Sequence, residues 1–130
     1  MIAVAALLGG LGVIIGAFGA HGLEAQLVKM GVDAALIPKR LDQFDVGARY
    51  HLVHAVAIFA LANAVNLSRR CRLTGFLFFT AGILLFSGSL YVLVLTNTPW
   101  LGAITPLGGV SWIIAWSVVA ISAAMSRSRV

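Results

Sequence analysis

Four stretches of the sequence are apolar and nearly free of charge over the length of a membrane span. They cover about residues 1–23, 48–67, 73–97 and 101–125. A helix needs roughly 20 predominantly apolar residues to cross the hydrocarbon core of a bilayer. The pattern therefore predicts an all-α membrane protein, a single domain in which four spanning helices form a compact bundle.

The first stretch also has some features of a secretory signal peptide, since it is N-terminal and ends in small residues. Signal peptides begin with a positively charged region, whereas the first Lys or Arg of this chain is Lys29. We therefore expect the first stretch to be retained as a membrane helix.

The third and fourth stretches are divided only by the segment TNTPWLG, residues 96–102. Its Asn, Thr and Pro residues are typical of a turn, because they interrupt regular helix. The sequence therefore predicts a tight hairpin between the last two spans.

The longest polar segment, residues 24–47, joins the first two spans. Pro38 is suited to a first helical turn, and apolar residues recur at helical spacing after it, Phe44 among them. Asp45 and Arg49 are four residues apart, in the order that favours an ion pair on a helix. We expect a short amphipathic outer helix that leads into the second span.

Composition supports a membrane protein. Hydrophobic residues make up 61% of the chain and charged residues only 10%, whereas soluble domains carry roughly 25% charge. The mean hydropathy is +1.03. The net charge of +5 does not indicate nucleic acid binding, because the arginines lie beside predicted helix ends, where they suit anionic lipid headgroups.

The distribution of positive charge predicts the orientation. With four spans, one side of the membrane carries five arginines: Arg69, Arg70, Arg72, Arg127 and Arg129. The other side carries four basic residues and all four acids: Lys29, Lys39, Arg40, Arg49, Glu24, Asp33, Asp42 and Asp45. By the positive-inside rule both termini are cytoplasmic, and a bacterial protein of this kind would be located in the inner (plasma) membrane.

Small residues recur along the predicted spans. Lipid tails give helices no hydrophobic reason to associate, so close backbone approach through small residues is a main source of attraction. The positions expected to pack against other helices are Gly12, Gly16, Gly19, Gly22, Gly75, Gly82, Ser89, Gly108 and Gly109.

Polar and titratable residues are predicted to meet near the outer side of the membrane. The candidate cluster consists of His21, Glu24, Arg49, His51, His54, Ser87, Tyr91 and Thr105. Three interpretations are open: polar anchors at the interface, a proton or small-ligand site, and a metal bound by His51 and His54. Since no carboxylate pair, nucleophile elbow or CxxC motif is present, neither enzymatic activity nor a cofactor is expected.

Four motifs occur in the order GAFGAHGL, RYHLVHA, AGILLFSGSLYVL and ITPLGGVSWIIAW. Through them the chain resembles the small membrane proteins of the domain of unknown function 423 family, whose eukaryotic branch includes transmembrane protein 256. The resemblance covers nearly the whole chain and implies a compact four-helix membrane protein. It implies no activity, substrate or catalytic residue.

Two functions are compatible with these features. The first is a structural or accessory component that acts through helix contacts, in a homo-oligomer or beside the subunits of a larger membrane complex. The alternative is a small transporter or proton-linked channel that uses the outer polar cluster. Membrane lipids and other membrane chains are the expected partners.

Overall fold

The structure, a computed structural model, describes residues 1–127, and these form helices and no strand. The elements are α1 (Ile2–His21), α2 (Leu23–Lys29), α3 (Ile37–Asn63), α4 (Arg69–Gly82), a π-helical segment (Ile83–Gly88), α5 (Ser89–Thr96), a 3-10 helix (Pro99–Ala103) and α6 (Thr105–Arg127). The predicted all-α fold is confirmed. Arg129, one of the five arginines on which the predicted orientation rests, lies outside the described residues.

Within the described residues, three helical stretches are long and apolar enough to cross a membrane. They are Ile2–His21, Arg69–Thr96 and Pro99–Ser126. The second of these contains α4, the π-helical segment and α5, which follow one another without a break. The predicted second span, residues 48–67, falls mostly within α3, which does not reach the same mean hydropathy.

Local sequence explains where the helices begin and end. Gly31 adopts a left-handed conformation, with φ of 72°, just after α2, as glycine commonly does beyond a helix C-terminus. Pro38 lies in the first turn of α3, where its missing N–H removes no helical hydrogen bond. The hydroxyl of Ser68 caps α4 by accepting the N–H of Cys71 at 3.2 Å.

The predicted turn between the last two spans is present. Asn97 ends α5 in a left-handed conformation, with φ of 49°, which Asn tolerates better than most residues. The 3-10 helix follows and leads into α6. The long helix 69–96 and α6 are therefore antiparallel neighbours, packed against each other chiefly through α4.

α3 lies at the centre of the packing. It contacts α1 on one side and α4, the π-helical segment and α5 on the other. One buried cluster lies at the end of the molecule that holds α2, which we call the α2 end: Leu23, Leu27, Val32, Phe44, Leu93 and Val94. A second cluster extends toward the opposite end: Ala5, Ile58, Leu61, Leu67, Cys71, Phe79, Ile83, Trp112 and Ala115. Met1 and Ala123 both pack onto this second cluster, so we call that end the termini end.

Several of the predicted packing glycines allow close helix contacts within this chain. A Cβ on Gly12 would lie 2.7 Å from Leu52 Cδ2 of α3, and one on Gly75 would lie 2.8 Å from Leu61 Cδ2. These distances are shorter than any that real Cβ atoms show, so the neighbouring side chains fill the space that glycine leaves.

Other glycines also lie in close contact with neighbouring residues, at the α1–α3 contact and at the contacts of α6 with the long helix 69–96. Gly19 is packed against Phe44, Gly82 against the Trp112 indole and Gly108 against the backbone of Phe86. Gly22 faces the ring of Phe18 in the preceding turn. Gly16 and Gly109, by contrast, have open space beside them, since no described residue would lie within 4 Å of a Cβ at either position.

Candidate polar site between the helices

The eight residues of the predicted polar cluster do not all lie together in the structure. His21 and Glu24 are exposed at the α2 end. Arg49 is also exposed, and its Nη2 is 2.7 Å from Asp45 Oδ2. This confirms the predicted ion pair, and it shows that Arg49 has its partner on its own helix rather than among the histidines.

A groove at the α2 end contains most of the acidic residues. It has a volume of about 370 Å³ and lies between α1 and α3, where Glu24, Asp42 and Asp45 line it together with Gly16 and other small residues. No three metal-ligating side chains within residues 1–127 are arranged to hold a metal ion. The acids therefore give the groove its charge without forming a coordination site.

His51 is buried between α1, α3 and α5. It is 4% exposed, and its Nδ1 is 3.2 Å from the hydroxyl oxygen of Tyr91. The tyrosine ring reaches this depth by lying against Gly47, since a Cβ at that position would be 3.0 Å from Tyr91 Cε1. The histidine and the tyrosine thus connect α3 to α5.

The neighbours of His51 on α1 show how deep it lies. It is adjacent to Leu8 and Gly12, and Leu8 is about 20 Å along the helix axis from His21 at 1.5 Å per residue. His51 therefore lies near the middle of the helices, whereas the sequence predicted the polar cluster near the outer side of the membrane.

Ser87 extends this polar path within the π-helical segment. Its side chain is fully buried, with 0% exposure, and it lies close enough to interact with the Tyr91 hydroxyl. Its Oγ nevertheless completes no hydrogen bond of good geometry with any residue that the structure describes, and neither does His51 Nε2. Ser87, Tyr91 and His51 form a path of polar atoms across the helix packing, which we call the buried polar path.

His54 has a different environment from His51. Its Nδ1 is 2.8 Å from the Tyr50 carbonyl oxygen, and its Nε2 accepts the Trp116 indole N–H at 3.4 Å. The Trp112 ring stacks on the imidazole at 3.8 Å with an interplanar angle of 2°. Both nitrogens are satisfied if the proton is on Nδ1, so His54 has the contacts of a structural residue.

Thr105 also lies apart from the histidines. Its hydroxyl is 3.0 Å from that of Ser89, and Ser89 donates to the Phe86 carbonyl at 2.9 Å. These bonds connect the start of α6 to the long helix 69–96, so Thr105 and Ser89 stabilise the packing of these two helices.

One buried charge was not predicted from the sequence. Arg40 is 5% exposed; its Nη2 donates to Asn97 Oδ1 at 2.7 Å, and its Nη1 donates to Gln43 Oε1 at 2.9 Å. Arg40 and Asn97 are 57 residues apart, so no local pattern connects them. The guanidinium lies at the C-terminal end of α5, where the helix dipole favours positive charge.

The chain is similar in sequence to a known protein family and to several bacterial membrane proteins. Residues 15–109 match the family model described as "Protein of unknown function (DUF423)". The UPF0382 membrane protein YwdK of Bacillus subtilis is 43% identical over 116 residues, which cover 87% of this chain and 86% of the relative. The UPF0382 inner membrane protein YgdD of Escherichia coli is 34% identical over 128 residues, which cover 95% and 88%. No solved structure matches the chain significantly.

Proposed function

Since the chain belongs to the DUF423 family of membrane proteins, we propose that it is a four-span structural or accessory component that acts through helix contacts. Its partners are further copies of itself or the subunits of a larger membrane complex. The name of the Escherichia coli relative supports an inner-membrane location for a bacterial chain. Both termini are cytoplasmic in this proposal, because Arg69, Arg70 and Arg72 lie at the termini end.

α3 is the fourth span in this proposal. Its 27 residues give about 40 Å of helix, more than the ~30 Å hydrocarbon core requires. Its polar residues Arg40, His51 and His54 are buried, whereas Val53 and Val56 are among its exposed side chains. After Arg49 the polar residues His51 and His54 therefore face protein, and apolar side chains are available to face lipid. The exposed charges of α3 lie in its first half, nearer the α2 end: Lys39, Asp42, Asp45 and Arg49.

The observation that carries the proposed helix contacts is the exposure of α1. This helix packs chiefly against α3, and its other faces have no partner in the described residues. One exposed face repeats at spacings of three and four residues and consists mainly of small side chains: Ala3, Ala6, Gly10, Val13 and Ala17. Such a face allows another helix to approach closely, and we call it the small-residue face.

The proposal is tested by measuring the mass of the protein extracted into native lipid particles. We expect an oligomer, or a stable complex with other membrane chains, and we expect Gly10→Leu to shift it toward the monomer. Ala120→Leu is the matched control, because Ala120 is exposed on α6 and the small-residue face does not include it. A monomer with no crosslinked partner in wild-type protein would contradict the proposal.

A proton-linked transporter or channel is a second candidate, and the buried polar path favours it. Ionisable residues inside a membrane protein are rare and commonly mark ion or proton pathways. An imidazole can accept a proton on one nitrogen and release one from the other. His51 has Tyr91 beside Nδ1 and the α1 backbone at Leu8 on another side, so it connects two helices.

Proteoliposomes containing a pH-sensitive dye distinguish this candidate from the first. The transporter hypothesis expects proton flux in wild-type protein, loss of flux in His51→Gln and Tyr91→Phe, and normal flux in His21→Gln, whose side chain is exposed. Wild-type flux no greater than that of empty liposomes would exclude proton conduction by this path.

A further inference from the structure

The positive charge at the termini end is not balanced by any Asp or Glu of the sequence. Arg69, Arg70 and Arg72 lie in the first turns of α4. All four acids of the sequence fall within residues 24–45, which belong to the α2 end. Arg69 and Arg70 are exposed, whereas Arg72 is partly buried. Because a buried charge is costly without a partner of opposite sign, Arg72 is the arginine that favours an added anion.

An apolar groove extends from the same end. It has a volume of about 180 Å³, lies between α3 and α6, and is lined by residues that include Ala57, Ala60, Ala64, Leu67, Phe79 and Trp116. Pockets for drug-sized ligands have volumes of roughly 300–1,000 Å³, so this groove suits a narrower, flexible hydrocarbon. Leu67 is two residues before Arg69, so the groove ends beside the arginines.

Arg72 connects the charge to the groove. Its Nη1 donates to the Ala62 carbonyl at 3.3 Å, which places the guanidinium beside the last turns of α3, the helix that also supplies groove residues Ala60 and Ala64. Its Nε is buried and has no hydrogen-bond partner among the described residues. A guanidinium has five N–H donors that match the geometry of phosphate oxygens, so Arg72 retains donors for an anion.

We propose that this groove and Arg72 form a binding site for one anionic phospholipid. A segment of one acyl chain lies in the groove against Trp116 and Phe79, and Arg72 binds the phosphate at the termini end. Basic residues beside gaps between membrane helices bind lipid headgroups in this way. The site does not use the small-residue face of α1, so it is independent of the proposed oligomer.

Native mass spectrometry of the delipidated full-length protein tests the site. Phosphatidylglycerol and phosphatidylcholine with the same acyl chains are titrated into separate samples. We expect the first bound molecule of phosphatidylglycerol to have a dissociation constant about tenfold lower than that of phosphatidylcholine. Arg72→Gln should reduce this preference about fivefold, which is the effect expected of one charge near a membrane surface. Ala60→Leu fills the groove and should weaken binding of both lipids.

Two matched controls separate a specific site from general attraction. Arg70→Gln removes the same charge from an exposed residue two positions away, and Ala120→Leu adds the same bulk to α6 outside the groove. Neither should change the first binding step. Equal affinity for the two lipids, equal effects of Arg70→Gln and Arg72→Gln, or unchanged binding by a folded Ala60→Leu variant would each overturn the proposal.

Discussion

Gly108 and Gly109 are neighbours in α6 and are expected to respond oppositely to the same substitution. A Cβ on Gly108 would lie 2.7 Å from Phe86 Cβ and 2.8 Å from Phe86 Cα. The backbone of Phe86 is part of the π-helical segment and cannot move aside as a flexible side chain can. A Cβ on Gly109 would meet no atom within 4 Å.

The two effects on the free energy of unfolding have different sizes. Alanine in place of a helical glycine stabilises a protein by roughly 0.5–1 kcal/mol, because it reduces the freedom of the unfolded chain. Overpacking a close contact costs about 1–3 kcal/mol. We therefore expect Gly109→Ala to stabilise by about 0.5 kcal/mol and Gly108→Ala to destabilise by about 0.5–2.5 kcal/mol after the same gain is included.

Reversible unfolding in mixed micelles measures both variants. Trp112 is 4% exposed and contacts the long helix 69–96 through its N–H bond to the Phe79 carbonyl, 3.1 Å long. Its fluorescence therefore reports separation of α6 from that helix. If Gly108→Ala stabilised the protein as much as Gly109→Ala, the close contact between α6 and the π-helical segment would be refuted.

Three further predictions use the same unfolding measurement. Arg40→Ala should destabilise by about 1.5–3 kcal/mol, as hydrogen bonds to charged groups do, and a double-mutant cycle with Asn97→Ala should show that the two changes are coupled; additive effects would argue against the bond. His54→Phe should retain the fold at a cost of about 1 kcal/mol for the lost bonds to Trp116 and the backbone, and a variant as stable as wild type would contradict a structural role. Arg49→Ala should change stability by at most about 1 kcal/mol, because its ion pair is exposed; a larger loss would show that Arg49 has further partners.

Most of the helical structure could be predicted from the sequence, because three of the helical stretches among the described residues contain long apolar runs: Ile2–His21, Arg69–Thr96 and Pro99–Ser126. The turn at Asn97, the position of Gly31 after α2 and the ion pair of Asp45 with Arg49 also follow from local chemistry. Each of these features depends on residues within a few positions of one another, where spacing along a helix determines what meets.

The arrangement of the polar residues could not be predicted in the same way. His51 and His54 are three residues apart, yet one contacts Tyr91 and the other contacts Trp112 and Trp116, because α3 has different neighbours on each side. The π-helical segment changes the rotation per residue around Ser87, which a regular helical repeat does not anticipate. Such contacts depend on tertiary packing rather than on sequence spacing.

Cysteine crosslinking in native membranes tests the proposed helix contact of α1 most directly. In a Cys71→Ser background, single cysteines are placed at Gly10, on the small-residue face, and at Val56, an exposed position on α3. A thiol-specific photoactivatable crosslinker is attached to each cysteine, because an unidentified partner need not provide a thiol for a disulfide. The account predicts efficient crosslinking at position 10 and little at position 56, with either a second copy or a membrane partner as the product. Absence of crosslinking at position 10, or equal crosslinking at both positions, would contradict it.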